Sequence, residues 1–167
     1  FTFFRPFMKI DLITLHRAQN YGSVLQTFAL QLKLEEIGHK VRVLDYYPER
    51  YTNMGLLRRL KGKSPRFKNV FNAFVDKYLN LHPMKFANND EAKSLTFDAD
   101  AYCTGSDQVW NSHWNECVET ALFLDFVPKG KLVFSYAASI GLSELPQNEV
   151  EITRQLLDKY EYLSVRE

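Results

Sequence analysis

Apolar positions along this chain follow two alternating rhythms. Residues 9–15 (KIDLITL) are a short apolar run of the kind a strand buried on both faces requires. A polar turn follows, His16-Arg17-Ala18-Gln19-Asn20-Tyr21-Gly22. Val24, Leu25, Phe28, Ala29 and Leu32 then recur at helical spacing. Ser23 with Gln26 three residues on has capping-box spacing, which predicts Ser23 as the N-cap, and Gly38 supplies the stop. Residues 40–45 (KVRVLD) alternate as a strand. Strand, turn, helix, glycine and strand make a βαβ unit with a right-handed crossover.

The helical rhythm returns over residues 67–81, with Phe67, Val70, Phe71, Phe74, Val75, Tyr78 and Leu79 on one stripe. Residues 101–103 predict a short strand that runs into Thr104-Gly105-Ser106-Asp107. An apolar stretch at 122–126, a strand at 131–136 and a run of small residues at 137–141 come next. Residues 145–160 predict an amphipathic helix with Pro146 near its first turn, and 162–165 begin another strand. This order predicts an α/β fold, a Rossmann-like open and mainly parallel sheet with flanking helices. Residues 1–7 (FTFFRPF) read as a leader upstream of Met8, and residues 8–167 as one domain.

Composition narrows the function classes. The 167 residues are 46% hydrophobic and 25% charged, which argues for a packed core and against disorder. Formal charge is +1, so the electrostatic signature of a general nucleic-acid binder is missing. That total hides two opposed segments. Residues 49–68 carry Arg50, Arg58, Arg59, Lys61, Lys63, Arg66 and Lys68 against Glu49, while residues 88–125 carry eight acidic side chains against Lys93. The basic segment reads either as a solvated loop or as a peripheral contact with an anionic lipid headgroup, over residues 50–68. Cys103 and Cys117 are too few for a disulfide scaffold and lack zinc-site spacing. A reducing, cytoplasmic setting fits them, and the basic segment extends it to the inner face of a membrane. No apolar run approaches the ~20 residues of a membrane span.

Ligands of a parallel α/β sheet gather at the carboxyl ends of its strands, and three segments there carry polar groups with glycine. In the first, His16 to Ser23, Gly22 permits close approach and the helix N-terminus offers N–H groups to a phosphate or carboxylate. His16, Arg17 and Asn20 would add side-chain donors; the alternative is an ordinary βα turn. Neither the dinucleotide glycine pattern nor the Walker loop is present. The second segment is Thr104-Gly105-Ser106-Asp107-Gln108-Val109-Trp110-Asn111. Asp107 either handles a proton or a sugar hydroxyl or caps the next helix. Trp110 either stacks on a sugar face or sits in the core. The third is Ser135-Tyr136-Ala137-Ala138-Ser139-Ile140-Gly141, whose small residues admit a ligand or a neighbouring backbone.

Together these segments resemble the polysaccharide pyruvyl transferase family. The matching residues are His16 with Asn20-Tyr21-Gly22-Ser23-Val24-Leu25-Gln26, then Gly105-Ser106-Asp107-Gln108-Val109-Trp110-Asn111, then Leu122-Phe123-Leu124-Asp125-Phe126. Ser135-Tyr136-Ala137-Ala138-Ser139 with Gly141, and Ser164-Val165-Arg166-Glu167, complete the series in order. The resemblance implies two Rossmann-like domains facing across a cleft, as in GT-B glycosyltransferases. Residues 8–167 would be the amino-terminal domain, and a carboxyl-terminal domain that supplies much of the donor site is absent. It further implies transfer of the enolpyruvyl unit of phosphoenolpyruvate to two hydroxyls of a glycan or lipid-linked glycan, giving a cyclic ketal and phosphate. Phosphoenolpyruvate is the donor substrate, and no cofactor or metal is required. On this reading Asp107 and His16 are the catalytic candidates. Arg17, Asn20, Tyr21, Gly22, Ser23, Gly105, Ser106, Gln108, Trp110, Asn111 and Ser139 are the substrate-binding ones. Two alternatives stand beside it: a nucleotide-sugar glycosyltransferase of similar fold, and a non-catalytic glycan-binding module.

Overall fold

The computed structural model describes residues 7–48 and 65–166, the side chains of residues 65–68 excepted. Most of the leader, and the basic segment expected to meet a membrane, lie outside the described side chains. Five strands form one sheet: β1 (Lys9–Ile13), β2 (Lys40–Tyr46), β3 (Leu81–Phe86), β4 (Ala101–Thr104) and β5 (Leu132–Ser135). Their spatial order is β3-β2-β1-β4-β5 and every pairing is parallel, the α/β arrangement that the alternating rhythms predict. The helices are α1 (Tyr21–Glu36), α2 (Pro65–Tyr78), α3 (Asn89–Ser94), α4 (Ser112–Asn115) and α5 (Val150–Leu157), with a 3-10 turn at Thr120–Phe123.

Side chains two apart on a strand share a face, and both faces are buried here. Ile10 and Leu12, Val41 and Val43, and Ala101 and Cys103 meet Val24 and Leu30 of α1 and Phe71 and Val75 of α2. On the opposite face Ile13, Leu44, Tyr46, Tyr102 and Val133 pack with Trp110, Leu122, Phe123, Leu124, Leu156 and Tyr160. Each buried aliphatic or aromatic side chain contributes about 1.5–3 kcal/mol.

Several local expectations are corrected. Asn20, not Ser23, caps α1: its side chain accepts from the Gly22 N–H at 2.7 Å, and Ser23 lies inside the helix. Gly38 ends the helix with φ +101°, a conformation open to glycine without a Cβ penalty. The helical stripe stops at Tyr78, and β3 begins at Leu81. His82, Pro83 and Lys85 break the apolar alternation of β3, which an edge strand tolerates because only one side of it pairs. Residues 145–149 turn before α5, with the Pro146 carbonyl accepting from Glu149. Residues 162–165 make isolated parallel bridges alongside β5 and its continuation rather than a regular ladder.

From β1 the chain builds outward through β2 and β3, then crosses to the other side of β1 for β4 and β5. The carboxyl ends of β1 and β4 therefore flank the point where the winding reverses, the usual ligand crevice of such sheets.

Candidate functional site

The loop after β4 fills this crevice and is tied to every element around it. An added Cβ at Gly105 would meet Leu12 at 3.0 Å and Thr14 at 3.2 Å, so glycine permits the loop to leave β4 against β1. Thr14 Oγ1 donates to the Ser106 carbonyl at 2.8 Å and accepts from Gln26 Nε2 at 2.9 Å. Asp107 follows at φ +97°, a left-handed conformation that costs a non-glycine residue on the order of 1 kcal/mol or more. That turn directs its carboxylate to α1, where Ser23 Oγ donates to Oδ2 at 2.5 Å. The Gln108 N–H donates to Oδ1 at 2.8 Å.

The backbone of Asp107 bridges to the segment after β5. Ser139 N–H and Oγ both donate to the Asp107 carbonyl, at 3.0 and 3.3 Å. Arg166 Nη2 reaches Ser139 Oγ at 3.4 Å, which brings a guanidinium to the rim of the crevice. Asn111 Nδ2 donates to Gln108 Oε1 at 3.1 Å and its Oδ1 accepts from Trp114 N, capping α4. Gly141, at φ +65°, leaves room for Gln108, whose Cδ a Cβ would meet at 2.4 Å. The crevice thus gathers Ser23, Gly105, Ser106, Asp107, Gln108, Asn111 and Ser139. A half-buried carboxylate with two donors in place keeps lone pairs for a ligand hydroxyl.

Other expected site residues are placed elsewhere. His16 is fully buried, with Nε2 3.2 Å from Asp45 Oδ1 and Nδ1 3.3 Å from the Thr14 carbonyl. This catalytic candidate therefore packs inside, where its ring ties the loop after β1 to Asp45. Arg17 grips Asp45 through two nitrogens, at 2.7 and 2.8 Å, and reaches Asp76 at 3.4 Å. Burial alone would raise the Asp45 carboxyl. Hydrogen bonds from His16 and Arg17, with the Arg17 charge, outweigh burial and hold it well below the ordinary carboxylate range. Trp110 is 4% exposed, stacks on Phe123 at 5.4 Å and donates from Nε1 to the Leu122 carbonyl. Of its two expected places, sugar face or core, it occupies the core. Asn20 and Gly22 are joined in the α1 cap, so that N–H group is already committed. Tyr21 is 60% exposed, with its ring 4.9 Å from that of Phe71.

Sequence reasoning passed over Thr14 and Asp45, and it named Gln26 and Arg166 among the matching residues without a place in the site. For Asp45 the available signal was the charge inside the apolar strand KVRVLD. Among the described residues no group of three or more His, Cys, Asp or Glu could hold a metal ion. No described helix is long and apolar enough to cross a membrane.

Neither the curated proteins nor the solved structures provide a match to this chain. The family described as Polysaccharide pyruvyl transferase matches residues 20–167. That match runs from the Asn20 cap through the Asp107 loop to the segment bearing Arg166, and the chain therefore belongs to the polysaccharide pyruvyl transferase family.

Proposed function

We propose that this protein transfers the enolpyruvyl group of phosphoenolpyruvate to two hydroxyls of a glycan or its lipid-linked precursor, forming a pyruvate ketal. Protonation of the donor's methylene carbon leaves an oxocarbenium-like centre at the adjacent carbon. One sugar hydroxyl attacks it and gives up its proton to a base. Phosphate departs with its bridging oxygen, and a second hydroxyl adds, losing its proton, to close the ketal. The chemistry calls for an acid, a base beside the hydroxyls, and donors for carboxylate and phosphate.

The observation that carries the reading is Asp107, anchored at the crevice by Ser23 and the Gln108 N–H within a chain of this family. Asp107 accepts the proton of the attacking hydroxyl, and Ser23 and Gln108 hold the carboxylate in place. Arg166, 3.4 Å from Ser139, is the candidate for the donor's carboxylate or phosphate. Trp114, 70% exposed in α4, offers the ring face that Trp110 does not. In this reading residues 8–167 are one Rossmann-like domain of a GT-B-like enzyme, and a facing domain supplies the general acid and most phosphate contacts.

Phosphate release from phosphoenolpyruvate in the presence of acceptor glycans tests it. Asp107→Asn should keep the fold, since asparagine tolerates left-handed backbone, and should lower turnover by about 10²–10⁴-fold. Unchanged turnover removes Asp107 from the mechanism. Transfer from a nucleotide sugar without phosphoenolpyruvate turnover identifies a glycosyltransferase instead, and glycan binding by this chain with no turnover even by the protein that carries the facing domain identifies a binding module.

A further inference from the structure

A second concavity, of about 510 Å³, opens past the carboxyl ends of β2 and β3. Tyr47 and Lys85 stand at the strand ends, Asn72 and Asp76 one helical turn apart on α2, Glu91 on α3, and Arg17 on the loop after β1. Its size is that of a small-ligand site.

The charges decide what such a groove admits. Arg17 and Lys85 are opposed by Asp76 and Glu91, and the buried Asp45 carboxylate stands behind both cations, 2.7 Å from Arg17 and 3.5 Å from Lys85. Arg17 is spent on Asp45 and Asp76, so among the described residues no uncommitted guanidinium faces the groove. A doubly charged phosphate or phosphoenolpyruvate would gain no net attraction here and would lose its hydration. An uncharged polyol gains from the same set: carboxylate and amide oxygens accept from its hydroxyls, and ammonium and amide N–H groups donate to them. The Asn72 amide lines the groove with an oxygen that can accept and an NH2 that can donate.

We propose that this groove is a neutral-sugar subsite, holding the unit of the acceptor glycan adjacent to the one that is pyruvylated. The proposal rests on the transferase reading for the word acceptor, while the sugar site stands on its own geometry. Arg17 lies three residues from Thr14, which binds the Asp107 loop, so the groove starts no more than about 11 Å along the chain from the crevice.

The test is a titration of the ¹⁵N-labelled protein with methyl glycosides of glucose, galactose, mannose and N-acetylglucosamine, and separately with inorganic phosphate. At least one glycoside should shift the Asn72 side-chain amide and the Tyr47 and Ala87 backbone signals, and phosphate should not. Asn72→Leu should weaken that binding by about threefold to tenfold. Absence of any glycoside response, a response to phosphate at these signals, or full binding by Asn72→Leu overturns the subsite. Sugar binding here with no phosphoenolpyruvate turnover even by the protein that carries the facing domain would sink the transferase reading and leave the subsite standing. Turnover with no response in the groove would do the reverse.

Discussion

Asp45 carries more of the loop's order than its place in a strand indicates. It is 1% exposed and receives His16, Arg17 and Lys85, so β2 holds the loop after β1 through a single carboxylate. Its removal leaves the Arg17 guanidinium, itself largely buried, without its bidentate partner. Breaking such a buried pair costs about 3–5 kcal/mol, the loss expected for Asp45→Asn at pH 7 in a denaturant titration. The pH dependence follows from the lowered pKa of this carboxyl. The stabilisation is complete above the unfolded-state value near ~4 and is lost as pH falls below it toward the folded-state value. The gap between parent and variant should therefore narrow from pH 7 to pH 3. A gap that widens would mean that Asp45 is not held ionised by its partners.

At the level of elements, the start of α1 shows where sequence patterns stop being informative. Asn20 and Ser23 are both good N-cap residues, and Gln26 completes the spacing for Ser23. What decides between them is a contact 84 positions away, in which Asp107 takes the Ser23 hydroxyl and leaves Asn20 to the cap. Asn20→Ala should then cost about 1 kcal/mol of stability, read as a lower denaturant midpoint at unchanged slope. The same logic separates what was legible from what was not. Apolar rhythm is local, so β1, α1, β2, β4 and β5 could be read from it, as could the gathering of the Asp107 loop at strand ends. Whether His16 and Trp110 face a ligand or the interior depends on partners such as Asp45 and Phe123, which no spacing records. β3 was missed for a related reason: an edge position relaxes the alternation that marks a strand.

On the scale of the molecule, β1 is the central strand, paired with β2 at 40–43 and, across the longest sequence separation in the sheet, with β4 at 101–104. Its amides should exchange with solvent only through global unfolding, whereas those in the bridges of residues 162–166 should exchange by local opening. Hydrogen exchange measured at residue resolution checks that order, and faster exchange in β1 than in residues 162–166 would contradict it. The central position of β1 has another consequence, set by the ribosome rather than by the finished fold. Its Lys9 amide bonds to Asp100, 91 positions later. At the synthesis rate of about 5–20 residues per second, the nascent chain carries an apolar strand with one bare edge for roughly 5–20 seconds. For that interval the edge is a template for any passing strand, and the cell must shelter it until β4 is made.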